Sequence, residues 1–215
     1  MTSRATVKRV RKAPAERRSE IVASAATLGL TEGLECITLR RVADELGVRP
    51  GLVSHYFPVA EELVAEAFAD ATTDELDGLL PSDAGAHDDG GVLGMLRRFL
   101  ALTSGEEFDD ISRLWLNARH LARYRPLLHE QVVRQELLWC RRIEAMIDQG
   151  VRSGAFTCAD PWAAAVRILV AVDGTSAYIN TSLQQRLAPI RDVVRTVMET
   201  ELGLTAGTLS PAAGD

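Results

Sequence analysis

The sequence TLRRVADELGVRPGLVSHYF, residues 38–57, contains the pattern that decides the fold of this 215-residue chain. Its first half repeats apolar residues at the i, i+3, i+4, i+7 spacing of one helix face: Leu39, Val42, Ala43 and Leu46. Thr38 is a suitable amino-terminal cap, because its hydroxyl can accept a hydrogen bond from a free N–H of the first turn. Gly47 is a suitable stop. The pattern therefore predicts a helix of about two turns.

A second short helix is predicted directly after the connector Gly47-Val48-Arg49. Pro50 fits the first position of this helix, where its missing N–H costs nothing, and Pro58 marks the end. Gly47 can adopt a positive φ in the connector, and Val48 can fill the angle between the two helices. Two short helices joined in this way form a helix-turn-helix, whose second helix reads DNA in the major groove.

Outside this unit the chain shows helical periodicity and no alternating strand pattern, so the predicted fold class is all-α. The first helix is predicted from about Ala15 to Thr31, with Gly33 as its stop. The remaining helices, which bring the total to about nine, are predicted at about 59–80, 92–104, 109–123, 127–152, 161–182 and 188–202.

The region from Arg17 to Leu63 resembles the amino-terminal domain of the tetracycline-repressor (TetR) family of bacterial transcription regulators. A long first helix is followed by an ordered set of residues: Thr38-Leu39-Arg40, Ala43, Gly47-Val48, Gly51, Tyr56-Phe57 and Glu61-Glu62-Leu63. Within the family, GLVSHYF at 51–57 is most similar to the recognition helix of the choline-responsive repressors of the betaine pathway. The resemblance implies a three-helix DNA-binding domain followed by a larger helical domain that binds a ligand and forms a dimer.

Four parts of the chain are expected. They are a flexible basic arm at 1–14, the helix-turn-helix domain at 15–58, the ligand-binding and dimerisation domain at 59–204, and a disordered tail at 205–215. In the family, the helix at 59–80 links the two domains.

The charge is distributed unevenly along the chain, whose net charge is −6. Residues 1–58 carry ten Arg or Lys against six Asp or Glu, a net charge of +4, and the rest of the chain is acidic. A basic amino-terminal quarter suits a polyanion such as DNA. The basic residues of the arm have two interpretations, a solvated tail or an arm that reaches along DNA: Arg4, Lys8, Arg9, Arg11 and Lys12.

The residues predicted to contact DNA follow from the docking geometry of a helix-turn-helix. The first residues of the recognition helix meet base edges, which assigns sequence reading to Arg49, Gly51, Leu52 and Ser54. Contacts to the phosphate backbone are assigned to Thr38, Arg40, His55 and Tyr56. For Tyr56, packing with its hydroxyl at the surface is compatible with such a contact.

Two positions depart from the family pattern. Val59-Ala60 stands where relatives usually carry Ser-Lys, so a lysine commonly set against a phosphate is absent. Arg49 stands where a Ser or Thr usually caps the recognition helix, and a cation there opposes the helix dipole. Arg49 is interpreted either as a phosphate or guanine contact or as a solvated turn residue.

The last two predicted helices are strongly apolar for terminal helices, with Ile168, Leu169, Val172, Ile179, Val193, Val194, Val197 and Met198. In the family the final helix pair forms a four-helix bundle with its twin, which implies a homodimer. The alternative is that both helices are buried within one subunit.

Candidate ligand-binding residues are the polar and aromatic side chains on otherwise apolar helices of the larger domain: Trp115, Asn117, His120, Glu136, Trp139, Asp173, Ser176 and Asn180. A carboxylate beside an indole suits a cationic amine such as choline, betaine aldehyde or a polyamine. Two alternatives remain open. The tryptophans can belong to the core, and a wholly apolar ligand would use the same aromatic residues.

Other classes of protein lack a signal in the sequence. There is no phosphate-binding glycine loop, nucleophile elbow or HExxH pair, so we expect no enzyme activity and no cofactor. His87 lies beside two aspartates in a polar loop, where no fixed metal geometry is expected. No apolar run reaches about 18 residues and no signal peptide is evident, so we expect a cytoplasmic protein without a membrane partner.

These observations predict a dimeric, ligand-responsive repressor that is released from a palindromic DNA operator by a small molecule. The alternative is a helical ligand-binding module with weak or no DNA binding.

Overall fold

A computed structural model describes residues 13–81, 90–105, 108–181 and 188–210 of the chain, without the side chains of residues 188 and 191. Within these segments the protein is all-helical, which confirms the predicted fold class. Its helices are α1 (Pro14–Glu32), α2 (Leu39–Glu45), α3 (Pro50–Tyr56), α4 (Ala60–Leu79), α5 (Gly91–Ser104), α6 (Asp109–Ala122), α7 (Pro126–Arg152), α8 (Pro161–Thr181) and α9 (Ala188–Glu201). A 3₁₀ turn at Leu34–Cys36 follows α1.

Helices α2 and α3 form the predicted helix-turn-helix. The Thr38 hydroxyl accepts the N–H of Arg41 at 3.1 Å and caps α2. Gly47 has a φ of +62°, which favours glycine, and the N–H of Val48 then donates to the carbonyl of Ala43 at 2.9 Å. This tight connector fixes the angle between the two helices. Pro50 is the first residue of α3, as predicted.

The larger domain is built around α4, α7 and α8. Helix α4 packs against α1 on one side and α7 on the other, so one helix contributes to both domains. Phe68 of α4 is fully buried and meets the ring of Trp115 edge to face at 5.0 Å. A displacement of α4 therefore changes packing in both domains.

Helix α8 is long and apolar enough to cross a membrane, judged by length and composition. It packs against α6, α7 and α9, and 44% of its most apolar window is buried inside the protein. Such burial is typical of a core helix, so length and composition are weak evidence for a membrane span.

The end of the described chain differs from the expected disordered tail. Leu209 is only 2% exposed, and the N–H groups of Gly207 and Leu209 donate to the Glu199 carboxylate at 3.1 and 2.8 Å. The prediction is wrong for residues 205–210 because it considered their polar composition and not the carboxylate that receives their N–H groups. Residues 211–215 lie outside the described segments.

Two further predictions cannot be compared with the structure. The basic residues of the arm, from Arg4 to Lys12, precede the first described residue. His87 and its two neighbouring aspartates lie between described segments.

Gly150 of α7 lies against Phe156, which is buried. A Cβ atom at position 150 would stand 2.0 Å from Phe156 Cζ, too close for any side chain. Gly150→Ala is therefore expected to lower the free energy of unfolding by about 1–3 kcal/mol or more, measured by urea denaturation. The control is Gly78→Ala in α4, where no atom lies within 4 Å of the new Cβ. It is expected to be neutral or to stabilise by up to about 1 kcal/mol. Equal effects of the two substitutions would contradict this explanation.

Candidate nucleic-acid interface and effector cavity

The eight residues predicted to contact DNA all lie on α2, on α3 or at the caps that precede them. Six of these residues are exposed, and Leu52 and Tyr56 are half-buried. Val53 and Phe57 of the same unit are fully buried and attach α3 to the core. The remaining faces of the two helices therefore form one continuous polar surface that is open to solvent.

Two neighbouring arginines on α2 differ in their partners. Arg41 donates to the carboxylates of Glu32 at 2.6 Å and Glu45 at 2.7 Å, so its charge is used within the protein. The Arg40 side chain is 86% exposed and lies 4.0 Å from Asp44. An exposed pair at this distance contributes little, so Arg40 can turn towards a phosphate.

The start of α3 is open to an approaching molecule. Arg49 precedes the helix and is exposed, and in the described structure its side chain does not cap the helix. Nothing described lies within 4 Å of a Cβ built at Gly51, so a ligand backbone could come close there. The Ser54 hydroxyl donates to the carbonyl of Pro50 at 3.2 Å, and the His55 ring meets the Tyr56 ring edge to face at 5.4 Å.

The start of α4 carries the departure at Val59-Ala60. Both residues are exposed, and neither brings a cation to this helix end. Glu61, in the first turn, accepts the N–H of Leu127 at 3.0 Å. That contact joins the beginning of α4 to the beginning of α7 and links the two domains close to the recognition helix.

A small cavity lies in the larger domain between α4, α6, α7 and α8. It encloses about 320 Å³ between its atoms but has room for about one water molecule. The described residues that line it are Glu75, Phe108, Ser112, Trp115, Arg119, Trp139, Leu169, Val172, Asp173 and Ser176. Four of the eight predicted ligand-binding residues, Trp115, Trp139, Asp173 and Ser176, are thus brought together.

Glu75 is the most unusual group in the cavity. Part of its stem reaches the surface, but the carboxyl group is buried. Burial raises the pKa of Glu75 to about 8, and the hydrogen bond from the indole N–H of Trp115 to Oε2, 3.1 Å long, opposes this rise. The second oxygen, Oε1, has no hydrogen-bond partner among the described residues. Glu75 is therefore a neutral acid at pH 7 with one unused oxygen.

Arg119 occupies the place where the sequence predicted a cationic ligand. Its Nε donates to Glu136 at 2.9 Å, and its terminal nitrogen donates to Asp173 at 2.6 Å. Its guanidinium carbon lies 4.9 Å from the centre of the Trp115 ring, within range of a cation–π contact. Burial raises the pKa of Asp173 and Arg119 opposes that rise. The predicted carboxylates are thus already paired with an internal cation.

Two other predicted polar residues have defined places. Trp139 is 2% exposed, and its indole N–H has no hydrogen-bond partner in the described part of the chain. Asn180 stands one residue back from the cavity, where its amide donates to the hydroxyl of Ser112 at 2.8 Å. Trp139 thus offers a free donor to the cavity, while Asn180 supports its wall.

Asn117 and His120 lie away from the cavity. The Asn117 side chain accepts the N–H of Leu34 at 2.9 Å and donates to the Glu35 carboxylate at 2.8 Å, which ties α6 to the 3₁₀ turn of the first domain. His120 is exposed and meets the ring of Tyr124 at 6.1 Å. The i, i+3, i+7 spacing is genuine, but residue 117 is turned about 200° around α6 from Trp115.

The sequence analysis missed Glu75, Arg119 and Ser112. Arg119 shares a face of α6 with Trp115 four residues earlier, and Glu75 interrupts the apolar stripe of α4 seven residues after Phe68. A charged side chain within an apolar stripe is the signal that could have identified both.

No metal centre is apparent. Within the four described segments, no three His, Cys, Asp or Glu side chains come together in a way that could hold a metal ion.

Helices α8 and α9 leave an apolar face without cover in the described chain. Val170 and Tyr178 of α8 are each 63% exposed, and Val193 of α9 is 41% exposed. Ala177 and Val166 of α8 complete the stripe at helical spacing. Large side chains grouped in this way are typical of a surface that a partner covers.

Comparisons with solved structures establish the fold as TetR-like. A protein from Rhodococcus sp. assigned to the TetR family of transcriptional regulators matches with a TM-score of 0.72 and 22% identity, over 87% of this chain and 99% of that one. A transcriptional regulator from Saccharomonospora viridis, solved in complex with choline, matches with a TM-score of 0.68 and 19% identity, over 86% of this chain and 96% of that one.

At the level of sequence the likeness is local. The HTH-type transcriptional repressor KstR2 of Mycolicibacterium smegmatis is 39% identical over 57 residues, which are 26% of this chain and 28% of that repressor. No model of a protein family matches the chain.

Proposed function

We propose that this protein is a ligand-responsive, DNA-binding transcriptional repressor that acts in the cytoplasm. The observation that carries the proposal is the helix-turn-helix, whose inner face is fixed by the buried Val53 and Phe57 while its outer face is polar and open. The TetR-like fold and the local likeness to a helix-turn-helix repressor support the same function. No comparable support exists for an enzyme.

In this proposal the recognition helix enters the major groove. Arg49, Gly51, Leu52 and Ser54 read base edges, and Thr38, Arg40, His55 and Tyr56 hold the phosphate backbone. Arg41 contributes little because two carboxylates already bind its guanidinium.

The repressor acts as a homodimer. The exposed apolar face of α8 and α9 provides a self-complementary surface, and a two-fold axis there would direct two recognition helices to the two halves of a palindromic operator. Burying Val170 and Tyr178 against a twin removes from water the largest exposed apolar side chains of these helices.

The effector binds in the cavity and controls DNA binding through α4 and α6. Glu75 belongs to α4, which also packs in the first domain, and Trp115 and Arg119 belong to α6, whose Asn117 is bonded to the 3₁₀ turn. A ligand that moves either helix changes the position of the recognition helix, and operator affinity falls by the coupling free energy. A cationic amine, of the kind bound by the choline complex from Saccharomonospora viridis, is the proposed class of effector.

A second candidate is a ligand-binding module without operator binding. The specific observation in its favour is the exposed Val59-Ala60 pair, which offers no charge to a phosphate at the start of α4.

Selection of binding sites from a random DNA pool separates the two candidates. The repressor should enrich a palindrome, and its affinity for that site should fall by about 10³ to 10⁵ between about 50 and 200 mM salt if it neutralises six to ten phosphates. Failure to enrich any sequence would overturn the repressor proposal and leave the ligand-binding module.

Arg49→Ala tests the assignment of base reading. We expect the preference at one base pair to relax by about 1–3 kcal/mol while other positions keep theirs, measured by repeating the selection with the variant. Arg40→Ala is the matched control, because loss of a phosphate contact should weaken all sequences alike. A uniform loss with Arg49→Ala would contradict base reading by Arg49.

A further inference from the structure

Two buried polar atoms of the cavity lack partners among the described residues, and they are chemically complementary. One is the carboxyl oxygen Oε1 of Glu75, and the other is the indole Nε1 of Trp139. An unpaired buried polar group costs about 1–3 kcal/mol, so a ligand that satisfies both gains binding free energy from each. Such a ligand must present a cation or donor to Glu75 and an acceptor to Trp139.

The other carboxylates of the cavity do not compete for the same cation. Asp173 and Glu136 share Arg119, which already covers part of the Trp115 ring. Glu75 has no basic side chain among its described partners, since its one hydrogen bond comes from the Trp115 indole. A second cation is therefore most stable beside Glu75.

The charged and titratable groups around Glu75 come from three helices. Arg119 lies on α6, Asp173 on α8, and Glu136 and Cys140 on α7. Burial raises the pKa of the Cys140 thiol, so it remains neutral near pH 7. Helices α1 and α5 also pack against α4 but contribute no described residue to the cavity wall. Glu75 is thus the group that changes its protonation between about pH 6 and pH 8.

We propose that the effector is a small monocation carrying a hydroxyl or carbonyl oxygen, that its charged group displaces the proton of the Glu75 carboxyl, and that its oxygen accepts the indole N–H of Trp139. This proposal rests on the proposed effector function of the cavity. One proton leaves Glu75 for solvent as one cation binds, so the charge within the cavity is conserved.

Room for the ligand comes from the side of Arg119. This residue lines the cavity and also an outer groove bounded by Tyr124, His129 and Val133. Its side chain is 28% exposed, so it can move outward without losing a deeply buried position. The cation enters from that groove.

The test is isothermal titration of the full-length protein with choline chloride. Choline has a permanent charge and a hydroxyl group, so any proton released on binding comes from the protein. We expect its affinity to rise about tenfold between about pH 6 and pH 7 and to level off above about pH 8. Titrations in two buffers of different ionisation enthalpy should report release of about one proton at the lower pH. The uncharged analogue 3,3-dimethylbutan-1-ol should bind more weakly at high pH and release no proton.

Glu75→Gln should abolish both the pH dependence and the proton release. The matched control is Asp74→Asn, the same loss of charge one residue earlier on α4 at an exposed position, and it should retain both. The proposal is overturned if choline does not bind at millimolar concentration at high pH, or if it binds without proton release. It is also overturned if Glu75→Gln keeps the pH dependence. These outcomes leave operator selection unaffected, so failure of this inference is distinguishable from failure of the repressor function.

Discussion

Val170→Asp is expected to give a folded monomer that has lost high-affinity operator binding. Val170 is 63% exposed, so a carboxylate there can stay hydrated in the monomer and should not disturb its core. In the proposed dimer the same carboxylate would be buried opposite its own copy, where two like charges are strongly unfavourable. Because a monomer grips one half-site alone, we expect operator affinity to fall by about 10³ or more, towards the non-specific level.

Sedimentation velocity gives the oligomeric state of this variant, and fluorescence anisotropy with the selected palindrome gives its affinity. The control is Val151→Asp, which makes the same change at an exposed valine near the end of α7, away from the α8 and α9 face. It should remain dimeric and bind the palindrome as the parent protein does. A dimeric Val170→Asp protein would refute the assignment of the dimer surface.

Glu75→Gln is expected to change how stability depends on pH. The pKa of Glu75 is about 8 in the folded protein, above the ordinary value of 4.5. The folded state therefore binds more protons than the unfolded state between these values, and stability is lost as the pH rises from about 4.5 to about 8. One proton corresponds to about 1.4 kcal/mol per pH unit, so the total effect amounts to several kcal/mol.

The measurement is urea unfolding at a fixed protein concentration at several pH values from about 5 to about 8, since dimerisation makes stability depend on concentration. Glutamine cannot ionise, so the difference in unfolding free energy between variant and parent should grow in favour of the variant as the pH rises. Asp74→Asn should give a nearly constant difference. Parallel curves for Glu75→Gln and the parent would show that the carboxyl is already ionised in the folded protein.

The helix-turn-helix could be predicted because its determinants are local. The cap at Thr38, the positive φ of Gly47 and the first-turn position of Pro50 each depend on neighbours within a few residues. The bounds of the other described helices lie close to the predicted ones for the same reason, since a period of 3.6 residues is visible in any long amphipathic segment.

The cavity could be predicted only in part. The spacing of the polar residues on α6 correctly indicated a helix, but it could not show which face was buried. Trp115 therefore lies in the cavity, while Asn117 and His120 lie outside it. Arg119 was missed because an arginine near the end of a helix is ordinarily interpreted as a solvated side chain.

The sequence alone determined the all-α fold, the helix-turn-helix and the residues it exposes, because these follow from hydrophobic periodicity and from capping within single turns. Only the tertiary structure decided that Arg119 pairs with Glu136 and Asp173, that Asn117 holds the first domain, and that the Glu75 carboxyl is buried. These contacts join residues 17 to 83 positions apart. Charge pairing and desolvation depend on distances in space, which helical periodicity within one segment does not contain.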